Sequence, residues 1–416
     1  MLIEISSTVI NKIISKKCSY LEMHAFDNII KQHINHNHLV YFGRKDLIKL
    51  INSNVLLSPH VIKYLEVYER KFYSMLGSIK SNVVSKILVD NIIVPTVEKQ
   101  DDKVTYIMPL IYFEESDRIN KSHIFSEDEE DCEFYKYISK YRKKKYLGSI
   151  FDIQLENISS NGGKIGRDFK RKVDSGKFVL AIVDSDIKNG DPKALGDTPK
   201  IIEKTFSEID YFCVSELYIL PVQEKENLLP LEIYKYLCNG NKSVNQLMKL
   251  KEFNQDYLIY FDYKQGLSSH NYHSYFEDLF LIDGVISKEG TSDSQMFSGS
   301  KEEFEKISSN IKKEEKPIYL IKGLGQSPMG GFEEIGKLVS YLEKRIGHKD
   351  MPSKKVEEIK REIELIKKFD DCLIDLQKVA WNKISNYLFS YGLALNKTAT
   401  SKYVMSDIDQ FYTVSS

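Results

Sequence analysis

Strand and helix patterns alternate between residues 119 and 230, and this alternation restricts the region to few folds. The strand patterns are "HIFSE", "GSIFDIQLENI", "FVLAIVDSD" and "YFCVSELYIL", and the helix patterns between them are "DCEFYKYISKYRKKK", "IGRDFKRKV" and "TPKIIEKTFSEI". The run "FVLAIV" has no polar alternation, which is typical of a strand buried on both faces. Because strands and helices follow one another in turn, we predict an α/β fold with a mostly parallel sheet flanked by helices.

The segments on either side have a different pattern. Residues 1–118 carry apolar side chains at helical spacing, for example Ile62, Leu65 and Tyr68, with extended pieces such as "VTYIMPLIYF". Residues 233–416 also have mostly helical spacing, interrupted by the strand-like "LIYFDY" and "KPIYLIKG". A length of 416 residues fits two or three domains. We therefore predict a mainly helical region over 1–118, an α/β domain over 119–232 and a mainly helical region over 233–416.

Charge and cysteine usage limit the classes of protein that fit. The net charge of −1 excludes a globally basic nucleic-acid-binding protein, although a local basic patch stays open. The five cysteines are scattered and never form a C-x-x-C pair, which argues against a disulfide framework or a zinc ribbon and favours a reducing compartment. No secretion signal and no run of about 18 apolar residues occurs. We expect a cytoplasmic protein with no membrane segment.

Acidic side chains follow several of the predicted strands. Glu127 ends the first strand, with Asp131 one helical turn later; Asp184 and Asp186 follow the third strand, and Glu226 follows the last. In parallel α/β sheets, ligands collect beyond the carboxyl ends of the strands. If the first and third strands are neighbours, the first four carboxylates converge, with the Asp-x-Asp pair on one side of a still-extended chain. Their repulsion would be relieved by a hard divalent cation, Mg²⁺ or Mn²⁺.

Each of these pieces also has an ordinary structural explanation. A hydrophobic run that ends in Asp occurs in many α/β proteins, and "SEDEEDCE" is a typical acidic helix start. The chain contains no G-x-x-x-x-G-K-[ST] motif, so we predict no nucleotide bound through a P-loop. What favours a metal site is the order of the acids: Glu at the end of the first strand, then Asp-x-Asp at the end of the third.

Four segments in this order resemble a Toprim domain, the metal-binding fold of topoisomerases, primases and OLD-family nucleases. The segments are "IFSEDEEDCEFYKYI", "SSNGGKIGRDF", "VLAIVDSD" and "EKENLLP". They are most similar to the small Toprim nucleases of bacterial anti-phage systems, and they cover residues 119–232. Ser126-Glu127-Asp128 departs from the Val-Glu-Gly of many relatives, which keeps the acid but makes the alignment of the first motif less specific.

The resemblance implies a Toprim-like catalytic domain with a defined set of site residues. Glu127, Asp131, Asp184 and Asp186 would hold one or two Mg²⁺ or Mn²⁺ ions, and Glu226 would be a further catalytic acid. Nucleases of this class also use a downstream lysine, for which Lys322 in "YLIKGLGQS" is the candidate, an ordinary surface lysine being the alternative. The implied reaction is endonucleolytic hydrolysis of phosphodiester bonds in DNA or RNA, in anti-phage defence.

A basic segment is the expected nucleic-acid contact. Residues 136–177 contain twelve Lys or Arg and only four acids, a net charge of +8. Such a segment beside the metal site would contact phosphates, whereas the plain alternative is two solvated amphipathic helices. The candidates are Lys143, Lys144, Lys145, Lys164, Arg167 and Arg171.

Other functions stay open from the residues alone. The flanking helical regions would recognise substrate, form a homodimer or dock a partner, and the resemblance suggests an ATPase sensor that holds the nuclease inactive. The alternative to a nuclease is a non-catalytic Toprim-fold protein that acts as a binding or regulatory subunit of a defence complex. A different α/β protein with an acidic site, such as a phosphatase, is the third class.

Overall fold

The computed structural model describes most of residues 1–397 and separates them into two compact units. The first unit comprises Met1–Ile182, Ile201–Tyr218 and the chain from Trp381 onward, and the second comprises Val183–Lys200 and Ile219–Ala380. These units interleave along the sequence, whereas the sequence pattern predicts three consecutive domains. The description leaves out residues 54, 56, 145, 148, 149, 161, 188–193, 211, 212, 239, 273, 283, 284, 287–294, 313, 330, 331, 333, 334, 347–351 and 398–416, and the side chains of 274, 345, 354, 355, 358, 362 and 365.

The N-terminal part of the first unit is built on a five-stranded sheet with the order β2-β1-β3-β5-β4. Four strands are parallel, and the edge strand β4 is antiparallel to β5. The strands are β1 (Leu2–Ile5), β2 (Leu39–Phe42), β3 (Ser85–Asp90), β4 (Thr96–Gln100) and β5 (Lys103–Pro109).

Five helices accompany these strands within the described part of residues 1–118. They are α1 (Ser7–Ile14), α2 (Tyr20–Ile34), α3 (Arg44–Ile51), α4 (Pro59–Lys71) and α5 (Tyr73–Ser81). Ser19 caps α2 in a reciprocal capping box with Glu22, and Ser58 caps α4 ahead of Pro59. The sequence pattern predicts helices with extended pieces here, but not their organisation around a sheet. The reason is that β1 and β2 have only four residues each, too few for a periodicity to identify.

A second sheet of the first unit has the order β10-β9-β6-β8. Strand β6 pairs in parallel with both β8 and β9, so the first and third predicted strands are neighbours, which is the condition set for their acids to converge. Every residue of β6 and β9 is buried, which confirms the interpretation of "FVLAIV" as an interior strand. The strands of this sheet are β6 (Ser122–Ser126), β8 (Leu155–Ser159), β9 (Val179–Val183) and β10 (Ser215–Ile219). The helices between them in sequence are α6 (Glu129–Arg142), α7 (Ile165–Asp174) and α8 (Asp197–Ser207), and β7 (Phe151–Ile153) lies outside this sheet.

The mixed α/β fold with mainly parallel sheets is thereby confirmed. The second unit is richer in helix, and its strand pair β11 and β12 is antiparallel, with Gly266 opposite Lys322. Three 3₁₀ segments, Lys225–Leu228, Gln255–Ile259 and Ser274–Leu281, also belong to it. The elements are α9 (Leu231–Leu237), α10 (Lys242–Phe253), β11 (Gly266–Ser268), α11 (Lys301–Asn310), β12 (Tyr319–Lys322), α12 (Ile335–Ile346), α13 (Ser353–Lys367) and α14 (Phe369–Cys372).

The last described elements are α15 (Asp375–Gly392) and β13 (Leu393–Leu395), and β13 pairs antiparallel with β7 in the first unit. Trp381 in α15 is fully buried and meets the rings of Phe134, Tyr137 and Tyr141 edge-on, with ring centres 5.9–6.4 Å away. These aromatic contacts fasten α15 to α6 within that unit. Among the helices of the described residues, none has the length and apolar character needed to cross a bilayer.

Candidate metal centre

A tight turn carries the Asp-x-Asp pair immediately after β9. Ser185, between the two acids, is fully buried, and its hydroxyl donates a 2.6 Å hydrogen bond to the carbonyl of Val222. The backbone N–H groups of Ser185 and Asp186 both donate to the carbonyl of Gln223, at 3.1 and 3.0 Å. The buried serine therefore anchors the turn to the segment that also carries Glu224 and Glu226.

The backbone of this turn is not extended. Asp186 has a φ of +53°, in the left-handed region that side-chain-bearing residues rarely adopt. The prediction that a still-extended chain points both carboxylates the same way is therefore wrong. A left-handed Asp in a hydrogen-bonded turn sets their directions instead, and such unusual conformations concentrate at functional sites.

Gly196 packs directly against this turn. Its N–H donates a 3.0 Å hydrogen bond to the carbonyl of Ser185, and a Cβ at this position would collide with the side chain of Asp186. Glycine is needed here because of this close approach. The contact restricts where the Asp186 carboxylate can lie.

A second turn of the same unit brings two further acids to Asp184. In the 3₁₀ segment Lys225–Leu228, the N–H of Lys225 donates a 3.0 Å hydrogen bond to Asp184 Oδ1. Glu224 precedes this segment and Glu226 lies within it, with Glu226 only 2% exposed. Asp184, Asp186, Glu224 and Glu226, here called the acid cluster, belong to the second unit.

The cation that accompanies the acid cluster is Lys264. Its Nζ lies 3.1 Å from Glu224 Oε2 and 3.3 Å from Glu226 Oε1. Burial alone would lower the pKa of Lys264, but the carboxylates of Glu226, Glu224 and Asp184 outweigh burial and raise the pKa. Sequence reasoning missed this lysine because it lies in the loop before β11, far along the chain from every acidic motif.

Burial and neighbouring charges together raise the pKa of Glu224. Burial raises the pKa of Glu224; Lys264 acts to lower it, and Glu226 and Asp186 raise it again. The second carboxylate oxygen of Glu226, Oε2, is buried and has no hydrogen-bond donor among the residues that the structure describes. Buried polar atoms normally have a partner, so this oxygen has capacity for a further cationic or donor group.

The donors of the acid cluster suit a hard divalent cation. Mg²⁺ and Mn²⁺ prefer carboxylate oxygens, and the unpartnered Glu226 Oε2 is such a donor. Asp184, Asp186, Glu224 and Glu226 are therefore the residues of the second unit that would hold the ion. Over the described residues, no three His, Cys, Asp or Glu side chains form a ready-made metal-binding group.

Glu127 and Asp131 lie in the first unit, at the start of α6. The buried Asp131 carboxylate accepts hydrogen bonds from the backbone N–H of Asp128 at 3.0 Å and from the Ser126 hydroxyl at 3.3 Å. Asp131 thus completes the capping box of α6, which agrees with the alternative interpretation of "SEDEEDCE" as an acidic helix start. That Glu127 and Asp131 share an ion with Asp184 stays a prediction.

The predicted downstream lysine, Lys322, ends β12. Its Nζ lies 5.8 Å from the centre of the Tyr319 ring, and its backbone faces Gly266 across the strand pair. That Lys322 is a catalytic lysine stays a prediction. Ion pairs with the acid cluster are observed for Lys264.

The six basic candidates differ in their surroundings. The Lys143 ammonium is buried in the first unit, where it donates a 2.7 Å hydrogen bond to Asn386 Oδ1. Lys145 lies outside the described residues. The candidates exposed to solvent are Lys144, Lys164, Arg167 and Arg171.

Asp168 lies among the exposed arginines of α7. Arg167 and Arg171 approach its carboxylate to 3.4 and 3.7 Å, and their side chains stay 70% and 72% exposed. Exposed pairs of this kind are weak, so both guanidinium groups can exchange the carboxylate for a phosphate.

No family model, no curated protein and no solved structure matches the chain.

Proposed function

We propose that this chain is a metal-dependent phosphodiester hydrolase that cleaves nucleic acid, with Asp184, Asp186, Glu224 and Glu226 as ligands of Mg²⁺ or Mn²⁺. The observation that carries the proposal is the buried Glu226 Oε2, for which the described residues supply no hydrogen-bond donor. The Toprim resemblance of the sequence supports the same reaction and a role as an anti-phage effector.

The residues of the chain supply binding and orientation. A bound divalent ion would lower the pKa of a water molecule and offset the charge of the phosphate. Ser185 and Gly196 hold the two aspartates in place. The exposed Arg167 and Arg171 of the first unit are suited to bind the phosphates of nucleic acid.

The proposal is tested by cleavage and metal binding measured on the same protein. The purified chain is incubated with plasmid DNA, single-stranded DNA and tRNA in Mg²⁺, Mn²⁺ or a chelator, and Mn²⁺ binding is followed by calorimetry. We expect metal-dependent cleavage of at least one substrate. Asp184→Asn and Asp186→Asn should reduce its rate by about 10²-fold or more, because each removes an anionic ligand.

Asp256→Asn is the matched control, since Asp256 is an exposed acid of the same unit outside the acid cluster. It should cleave and bind Mn²⁺ like the wild type. Equal cleavage by Asp184→Asn would refute the assignment of this site. Metal binding without cleavage of any of the three substrates would instead favour a non-catalytic regulatory subunit.

A further inference from the structure

We propose that Lys264 is a built-in counter-ion of the acid cluster, which a divalent cation must displace in order to bind. This inference rests on the proposed function, because it concerns the same metal centre. It adds a determinant of metal affinity that lies outside the four carboxylates.

The first argument is that the ammonium is paired with two of the carboxylates that the cation needs. Lys264 Nζ lies within ion-pair distance of one oxygen of Glu224 and one oxygen of Glu226, at 3.1 and 3.3 Å. A divalent cation bound at about 2.1 Å to the same carboxylates, for example through Glu226 Oε2, would be a close neighbour of the ammonium. Two cations at such a distance repel each other, so the ion pairs of Lys264 oppose metal binding.

The second argument is that hydrogen bonds connect the backbone near Lys264 to the backbone of the acid cluster. Asn227 accepts a 3.0 Å hydrogen bond from the N–H of Glu224 and donates to the carbonyls of Leu258 and Phe261 at 2.7 and 2.9 Å. Phe261 lies three residues before Lys264 in the sequence. The backbone that carries the lysine is therefore bound to the backbone that carries the acids.

The third argument concerns which partner can leave. The Glu226 side chain is 3% exposed and the Glu224 side chain 15%, whereas the Lys264 side chain is 29% exposed. Lysine also has a flexible four-carbon stem with rotatable donors. The ammonium can therefore swing toward solvent while the carboxylates stay in place, so the cation replaces the lysine rather than the reverse.

Displacement predicts that removing the ammonium strengthens metal binding. The experiment is calorimetric titration of the full-length wild type, Lys264→Met and Lys264→Gln with MnCl₂ at fixed ionic strength. Methionine keeps the length of the stem without the charge, and glutamine keeps a hydrogen-bond donor. We expect both variants to bind Mn²⁺ about tenfold or more tightly than the wild type.

Lys251→Met is the matched control. Lys251 belongs to the same unit and forms an even closer ion pair with Glu232, at 2.7 Å, with its side chain 18% exposed. Its loss should leave Mn²⁺ affinity unchanged. Circular dichroism spectra identify any variant that fails to fold, and the other Lys264 variant then gives the result.

The outcomes separate the inference from the proposed function. Unchanged or weaker Mn²⁺ binding by the folded Lys264 variants overturns the inference alone, because the wild type still binds metal. Binding by the variants but not by the wild type supports it. Absence of binding in every protein overturns both the inference and the metal centre itself.

Discussion

Glu216, on β10, illustrates how surroundings set the charge of a single residue. The residue is 8% exposed, and its carboxylate accepts a hydrogen bond from the Ser85 hydroxyl of the neighbouring sheet. Burial raises the pKa of Glu216 to about 7 from 4.5; Ser85, Lys99, Tyr387 and Lys383 act in the opposite direction without cancelling burial. The side chain therefore takes up a proton on folding at mildly acidic pH.

This protonation makes the stability of the first unit pH-dependent. Below pH 4.5 Glu216 is protonated in both the folded and unfolded states, and between 4.5 and about 7 only the folded state keeps the proton. The free energy of unfolding should therefore decrease as the pH rises through this window. Between pH 4.5 and 7.5, the wild type should lose about 3 kcal/mol of unfolding free energy that Glu216→Gln does not lose. Urea denaturation at several pH values measures this difference.

Glu203→Gln serves as the control for that comparison, since Glu203 is an exposed acid of α8 in the same unit. Its pH profile should parallel that of the wild type. If Glu216→Gln also parallels the wild type, the proton uptake assigned to Glu216 is wrong.

At the scale of an element, the 3₁₀ segment Lys225–Leu228 depends on two buried amides. The side chain of Asn227 makes three hydrogen bonds that join the segment to Leu258 and Phe261. Gln377, near the start of α15, donates to the carbonyls of Asn227 and Leu229 at 2.7 and 3.1 Å. These amides hold Glu224 and Glu226 in the orientation that the acid cluster requires.

Asn227→Ala should weaken the metal centre although Asn227 is not one of the proposed ligands. The substitution leaves the carbonyls of Leu258 and Phe261 without their donor, so the free energy of unfolding should fall by about 2–3 kcal/mol. Mn²⁺ affinity should fall about tenfold, because the turn that carries the acids loses its attachment. Calorimetry and urea denaturation measure the two effects.

Asn241→Ala is the comparison variant, because Asn241 caps α10 in the same unit through a 2.9 Å hydrogen bond from the N–H of Ser243. It should cost about 1 kcal/mol and leave Mn²⁺ affinity as it is. A loss of stability in Asn227→Ala with wild-type affinity for Mn²⁺ would show that Asn227 has no part in positioning the acids.

At the scale of the whole molecule, the two units are assembled from segments distant in sequence. The first unit receives the end of the described chain: β13 pairs with β7, and the hydroxyl of Ser390 accepts a 2.9 Å hydrogen bond from the N–H of Val84. Trp381 of α15 packs its ring against the aromatic side chains of α6. The stability of this unit therefore depends on residues that follow the second unit in the sequence.

Trp381→Ala should destabilise the first unit by about 3–5 kcal/mol, because it empties a fully buried aromatic position. Trp381→Phe keeps a ring in the cavity and should lose clearly less. Far-UV circular dichroism in urea is the measurement, because Trp381 is the only tryptophan of the chain and both variants lose its fluorescence. A loss below about 1 kcal/mol in Trp381→Ala would contradict this packing role.

The sequence by itself determined the elements whose signal is local. The apolar runs of β6 and β9 and the helical spacing of α6 and α7 were sufficient to predict a parallel α/β arrangement with acids after its strands. The buried face of a helix or strand recurs with the period of that element. Its apolar residues are therefore regularly spaced, and this spacing can be read from the sequence.

Tertiary structure alone decided the rest. The pairing of the short strands β1 and β2, the left-handed turn at Asp186 and the placement of Lys264 beside Glu224 and Glu226 are not visible in any local pattern. Each depends on contacts between segments far apart along the chain. Their free energy comes from ion pairs, hydrogen bonds and close packing that exist only after those segments have met.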